Sequence, residues 1–292
     1  MGKLIVIDGL DGCGKATQAD RLYKRLKGMG LNVHKVSFPD YESDSSAAVK
    51  MYLNGELGTD PSKLSPYMCS LFYSIDRGIQ FCKELNDIYN QPDSILICDR
   101  YISANIIHQG SKISNLIDRE KYFEWMYDLE VNKVGIPKED ITVVLTLPIE
   151  VSQALMTSRY HDDDSKKDIH ESDMKYLEKC YHTVSSAVKY LNKIGYNWVH
   201  LDCSDHGKGV RTIDDIESDI WNIVKDVLDD TFVTPYEYRT EDCKYLSIED
   251  NTPWHGDVFD HPDYRTTCSI DGEHKEIIEG IHCRKCKRYE AK

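Results

Sequence analysis

Lys3-Leu-Ile-Val-Ile-Asp-Gly9-Leu10-Asp11-Gly12-Cys13-Gly14-Lys15-Ala16-Thr17 decides how the chain is read. A short aliphatic run ends in glycines, and a helical pattern begins at the lysine, with Ala19, Leu22, Tyr23 and Leu26 at helical spacing. Gly28 and Gly30 supply a stop. The segment therefore reads as strand, glycine loop, helix. Gly9, Gly12 and Gly14 let the backbone turn its N–H groups inward, making an anion nest at a helix N-terminus. Lys15 then reaches toward the β- and γ-phosphates of a nucleotide, the spacing Gly-x4-Gly-Lys being that of a P-loop. Ala16 stands where a Ser or Thr hydroxyl usually meets magnesium, with Thr17 one place late. Residues 9–17 are the expected ATP-binding loop.

Working outward, strand and helix patterns alternate. Asn32 to Ser37 reads as a strand ending in Phe38-Pro39-Asp40-Tyr41, and Ser46 to Leu53 as a short helix closed by Gly55. Ser65-Pro66 opens a helix carrying Leu71, Phe72, Ile75, Ile79, Cys82 and Leu85 on one broad face. Ile95 to Cys98 is an apolar strand with Asp99-Arg100-Tyr101 at its carboxyl end, the edge where ligands gather in a parallel sheet. Ile141 to Leu147 and Trp198 to Cys203 read as further strands. Helices are expected over Ile149 to Arg159, over a long segment from Met174 to Leu191, and from Thr212 to about Asp230. The expected fold is α/β: a doubly wound, five-stranded parallel sheet flanked by helices. The polar stretch from Tyr160 to Asp168 lacks apolar periodicity and reads as a lid. The pattern dissolves after Asp230, which predicts a domain over 1–230 and a small C-terminal extension over 231–292.

The 292-residue chain is 40% hydrophobic, enough for a sizeable core, and carries a formal net charge of −14. That charge argues against a nucleic-acid binder with a broad basic face, so anionic substrates need a local positive focus. No apolar run reaches membrane-spanning length and the first residues enter a strand directly, which leads us to expect a cytoplasmic protein without a membrane partner. Of ten cysteines, Cys13, Cys69, Cys82, Cys98, Cys180 and Cys203 are scattered singly and read as buried or free thiols. Cys243, Cys268 and the pair Cys283-Arg-Lys-Cys286 lie in the extension, where four thiolates would complete a structural zinc site. His255, His261, His274 and His282 are alternative ligands, and ordinary free thiols are the competing reading of the four cysteines.

Phe38-Pro39, Ser70 to Arg77, Asp99-Arg100-Tyr101, His108-Gln109-Gly110 and Gly135-Ile-Pro137, taken in order after the P-loop, closely resemble the thymidylate kinase family. The resemblance runs from residue 3 to about residue 228. It implies transfer of a phosphoryl group from ATP to dTMP, with Mg2+ accompanying the ATP, and a homodimer.

By the same resemblance, Lys15, Asp99, Arg100 and Arg159 are the expected catalytic residues, with Asp99 near magnesium and Arg100 on the transferring phosphates. Lys166 and Lys167 would add lid charge, because Gly12 stands where some relatives carry a P-loop arginine. Asp11 matches an acid that contacts the sugar 3′-hydroxyl, Phe72 an aromatic that stacks on thymine, and Arg77 an arginine on a base carbonyl. Phe38, Pro39, Arg100, Asn105 and Gln109 complete the expected substrate contacts. Taken singly, Asp11 reads equally as a turn residue, Phe72 as core packing and Arg77 as a surface ion pair. Ala16, Tyr41, Ala104 and Asn105 depart from common family residues. The rival functions are a deoxynucleoside monophosphate kinase of broader base preference and a catalytically weak nucleotide-binding regulator.

Overall fold

A computed structural model describes residues 2–160, 173–205 and 209–228, together with the backbone of the short strands 246–250, 264–268 and 275–276. The chain forms two compact units, Met1–Phe232 and Val233–Lys292. In the second unit, β8 (Leu246–Asp250), β9 (Tyr264–Cys268) and β10 (Lys275–Glu276) make an antiparallel sheet in the order β10-β9-β8. Cys243, Cys283 and Cys286 lie outside the described residues, as does the side chain of Cys268, so the zinc expectation falls there too.

The first unit is built on five parallel strands: β1 (Lys3–Gly9), β2 (Val33–Ser37), β3 (Ile95–Asp99), β4 (Ile141–Thr146) and β5 (Trp198–Asp202). Their order is β2-β3-β1-β4-β5, so β1 is central and its carboxyl end meets those of β3 and β4. The register sets Ile7 opposite Asp99 and Gly9 opposite Leu145. Apart from Lys3 and Asp99 at strand ends, the inner strands are buried, as strands covered on both faces must be. A two-stranded hairpin of β6 (Ser204–Asp205) and β7 (Gly209–Val210) follows β5.

The helices are α1 (Lys15–Gly28), α2 (Ala47–Leu53), α3 (Pro66–Gln80), α4 (Asn86–Tyr89), α5 (Ile102–His108), α6 (Leu116–Tyr127), α7 (Ile149–Tyr160), α8 (Met174–Lys193) and α9 (Ile213–Leu228). The α3 cap is as expected, with the Ser65 hydroxyl accepting from the Met68 N–H and Pro66 in the first turn. The wider turns of two π-helical segments, Phe81–Leu85 and Asp128–Val134, extend α3 and α6. Such insertions shift the phase of the helix that follows and often mark functional places.

Helix α3 turns the expected amphipathic rule around. Its apolar residues Leu71, Ile75 and Ile79 are 41%, 53% and 36% exposed, while Ser70, Ser74, Asp76, Arg77 and Gln80 are buried. The helix therefore shows its polar side to the interior of its own unit. Cys13, Cys69, Cys98, Cys180 and Cys203 are buried free thiols and Cys82 is an exposed one.

Candidate active site

The glycine loop adopts the geometry that its composition demands. Gly12 and Gly14 have φ of 82° and 84°, and a Cβ at Gly12 would lie 2.6 Å from the Ser152 carbonyl oxygen. Gly9 is tighter still, because a Cβ there would meet the Leu145 carbonyl oxygen at 2.2 Å. Gly14 caps α1 with no side-chain hydrogen bond, leaving the first N–H groups of a 14-residue helix open to an anion.

Lys15 Nζ donates to Asp11 Oδ1 at 2.8 Å, and Arg100 Nη2 donates to the same oxygen. One carboxylate oxygen thus gathers the loop lysine and the arginine that follows β3. Burial alone would raise the Asp11 pKa, but Arg100 and then Lys15 overcome it and hold the carboxyl far below the usual range. Burial works against the Arg100 cation too, yet Asp11 and Asp8 raise its pKa well above the ordinary value. Arg100 sits at φ 69°, a left-handed conformation rare for a side-chain-bearing residue, and its N–H donates to the Ile7 carbonyl. Beside it, Asp99 Oδ1 is buried without a hydrogen-bond partner. Asp8, fully buried, accepts from the Ser103 hydroxyl and the Gly9 N–H. Burial raises its pKa against the opposing effect of Arg100.

His108 lies behind this junction. Its Nε2 is 3.4 Å from Arg100 Nη1, and since a guanidinium only donates, Nε2 must accept and the ring is neutral. Burial, and then the neighbouring Arg100 charge, push its pKa down to about 3. The Tyr176 and Ser111 hydroxyls both donate to the His108 carbonyl and fix the end of α5.

A cavity opens between this junction and α3. Asp11, Phe38, Pro39 and Arg100 line its near side, and Tyr73, Arg77, Asn105 and Gln109 its far side. The Phe38-Pro39 bond is cis, and Asp76 on α3 holds the loop by accepting from the Asp40 N–H at 3.0 Å. The structure brings Asp11, Phe38, Pro39, Arg77, Arg100, Asn105 and Gln109 together around this cavity. It corrects one position. Phe72 packs beside Tyr52 with ring centroids 6.3 Å apart, outside the cavity lining, and Tyr73 takes the place on the wall. Helical phase explains it: four residues bring Tyr73 back to the face of Arg77, whereas five carry Phe72 away from it.

Glu130 and His108 are site residues that the sequence reading does not select. Arg159 belongs to α7 by its backbone, but its side chain lies outside the described residues, as do Lys166 and Lys167. Among the described residues no group of three or more His, Cys, Asp or Glu side chains is arranged to hold a metal. Among them, too, no helix is long and apolar enough to cross a membrane.

A P-loop on a five-stranded parallel sheet of order β2-β3-β1-β4-β5, with an acid-arginine pair at the end of β3 and a cavity beside it, defines a P-loop nucleotide kinase fold. The thymidylate kinase family description matches residues 7–200, and the chain belongs to that family. Thymidylate kinase of Mycobacterium tuberculosis is 26% identical over 180 residues, covering 60% of this chain and 81% of the relative. A probable thymidylate kinase of Methanosphaera stadtmanae is 29% identical over 185 residues, covering 63% and 87%. The solved thymidylate kinase of Candida albicans superposes with a TM-score of 0.56 at 24% identity, over 77% of this chain and 91% of that one, a likeness of fold. Membership makes the chain an ATP-dependent phosphotransferase acting on dTMP, and neither rival function is favoured.

Proposed function

We propose that the first unit transfers the γ-phosphoryl group of ATP to dTMP with the residues gathered around Asp11. The observation that carries this reading is the single Asp11 oxygen held by both Lys15 and Arg100. It brings the donor-loop cation and the arginine at the cavity within one carboxylate of each other. A dTMP phosphate oxygen attacks Pγ in line, the bond from Pγ to the ADP oxygen breaks, and dTDP and ADP leave. A phosphate monoester is already a nucleophile at neutral pH, so no strong base is required, and the work is positioning and charge. Lys15 and the α1 N-terminus hold the donor phosphates, and Arg100 spans donor and acceptor. Asp11 is freed from the two cations when phosphates replace it, and turns to the sugar 3′-hydroxyl. Phe38, Pro39 and Tyr73 frame the base, while Arg77, Asn105 and Gln109 meet its polar edge. Arg159, Lys166 and Lys167 are proposed to add lid charge.

Magnesium fits the unpartnered buried oxygen of Asp99, with Ala16 leaving the remaining positions to phosphates and water. Bound there it would draw charge from the phosphate oxygens. We place this activity in residues 1–230, in the cytoplasm, with residues 231–292 as an appended unit. The exposed row of Leu71, Ile75 and Ile79 on α3 supports a homodimer in which a second copy covers it. Ile75→Glu is expected to yield monomers by sedimentation, and an unchanged dimer would place the contact elsewhere.

The test of the activity is a coupled assay across all nucleoside monophosphates. The expected order of kcat/KM is dTMP first and dUMP next, one buried methyl being worth about 1–3 kcal/mol. A preference for a purine monophosphate would overturn the roles given to Tyr73 and Arg77.

A further inference from the structure

Glu130 lies in the π-helical segment after α6 and is wholly buried, as is Arg77, with side-chain exposures of 0% and 1%. Arg77 Nε donates to Glu130 Oε2 at 2.7 Å and Arg77 Nη2 donates to Oε1, a bidentate fork. The Ser74 hydroxyl donates to Oε1 at 2.7 Å, and Asn105 Nδ2 reaches the same oxygen at 3.4 Å. Asn105 Nδ2 also donates to the Ser70 carbonyl at 3.2 Å.

These contacts fix which atoms remain for the cavity. A carbonyl and a carboxylate only accept, so the Asn105 amide must turn its NH2 toward them and its Oδ1 away. Arg77 has engaged one N–H on Nε and one on Nη2, and its remaining N–H groups, on Nη1 and Nη2, can only donate. Both residues line the cavity. It is therefore offered N–H donors from Arg77 and a carbonyl acceptor from Asn105. The Gln109 amide lies beside the Tyr52 phenol, with both its polar atoms buried.

We infer that Glu130 is a positioning residue that tunes the base preference, by holding, together with the Ser70 carbonyl, the donor–acceptor order that Arg77 and Asn105 present. A thymine or uracil edge carries an accepting O4 beside a donating N3–H, which fits that order. A cytosine edge carries a donating N4 amine beside an accepting N3, so donor meets donor and acceptor meets acceptor. The inference rests on the dTMP kinase reading. It adds a residue that touches no substrate and yet chooses between substrates.

The deciding probes are dTMP and 5-methyl-dCMP, which share shape and methyl and differ only in this edge. Glu130→Gln gives the hub a donor of its own that competes for the Asn105 amide, leaving the Ser70 carbonyl to hold its NH2. The expected result is a fall of at least ~10-fold in the kcat/KM ratio of dTMP to 5-methyl-dCMP, carried by KM for the monophosphate, with KM for ATP unchanged. A purely structural role would lower the melting temperature and leave the ratio alone, and an unchanged ratio in folded Glu130→Gln overturns the inference. If the glutamine variant does not fold, Ser74→Ala decides, since it removes one support of Glu130 and keeps the ion pair. There the ratio is expected to fall about threefold, and an unchanged ratio again overturns the inference. Wild-type protein that phosphorylates no dTMP overturns the activity itself. That failure is distinct, because it appears before any variant is compared.

Discussion

Two glutamates, Glu130 and Glu139, are both buried to 4% exposure or less, and they serve opposite ends of the sheet. Glu130 supports the cavity at the carboxyl end and is held by the Arg77 fork. Glu139 precedes β4 at the amino end, where its partners are neutral. The Tyr127 hydroxyl and Trp198 Nε1 both reach Oε1, while Oε2 is buried without a partner. A buried carboxyl must be paired or give up its charge. At the carboxyl end Asp11 is paired with Lys15 and Arg100, and Glu130 with Arg77. The amino end lacks a paired cation at Glu139, and burial raises its pKa despite the Tyr127 hydroxyl. Ion pairs are built around Asp11 and Glu130, whereas burial raises the pKa of Glu139, as it does that of Asp8.

The largest expected effect breaks the charged end without touching the fold. Lys15 side-chain exposure is 12%, and its removal leaves Asp11 still paired with Arg100. Lys15→Ala should lower kcat by about 10²–10³-fold or more, by analogy with the loss of one preorganised donor to a developing charge, with the melting temperature nearly unchanged. A folded variant that keeps most of its activity would remove Lys15 from the donor site.

Next in size is the ion pair itself. Arg77→Ala strands Glu130 as an unpaired buried acid, a change that costs about 3–5 kcal/mol in comparable cases. The loss should be seen in denaturant unfolding. Changing both partners, as Arg77→Met with Glu130→Gln, should recover much of that stability but not the base preference. A single variant as stable as wild type would mean that Glu130 finds another partner.

The same contrast explains what the sequence disclosed. The P-loop is read from contiguous residues whose glycines have a local conformational reason, and the strand alternation fixes sheet and topology. The arrangement of charge is not local. Arg100 and Asp11 are 89 positions apart, and Arg77 and Glu130 are 53 apart, so neither pairing has a sequence signature. Glu130 is one acid among many until the π-helical turn carries it inward. Tyr73 is legible in principle, because its spacing from Arg77 returns it to one helix face. The buried polar side of α3 is not, since an apolar row ordinarily marks the inward face and here marks the outward one.

The smallest expected effect tests the uncharged end. Because the folded-state pKa of Glu139 is raised above the ordinary 4.5, its protonated form is favoured in the folded chain. The stability it contributes is therefore fully present below the unfolded pKa and is lost as pH rises through the folded value. Glutamine keeps an acceptor oxygen for the Tyr127 hydroxyl and Trp198 Nε1 and has no proton to lose. Glu139→Gln should match wild type near pH 4 and be the more stable of the two at neutral pH. Melting temperatures of the two proteins measured across that interval should diverge upward with pH. If the curves run parallel, Glu139 keeps the same protonation state folded and unfolded, and the amino end is charged after all. Glu130 offers the internal control. It accepts the Arg77 fork, so Glu130→Gln breaks a buried ion pair and should destabilise at neutral pH, the opposite sign at a site of similar burial.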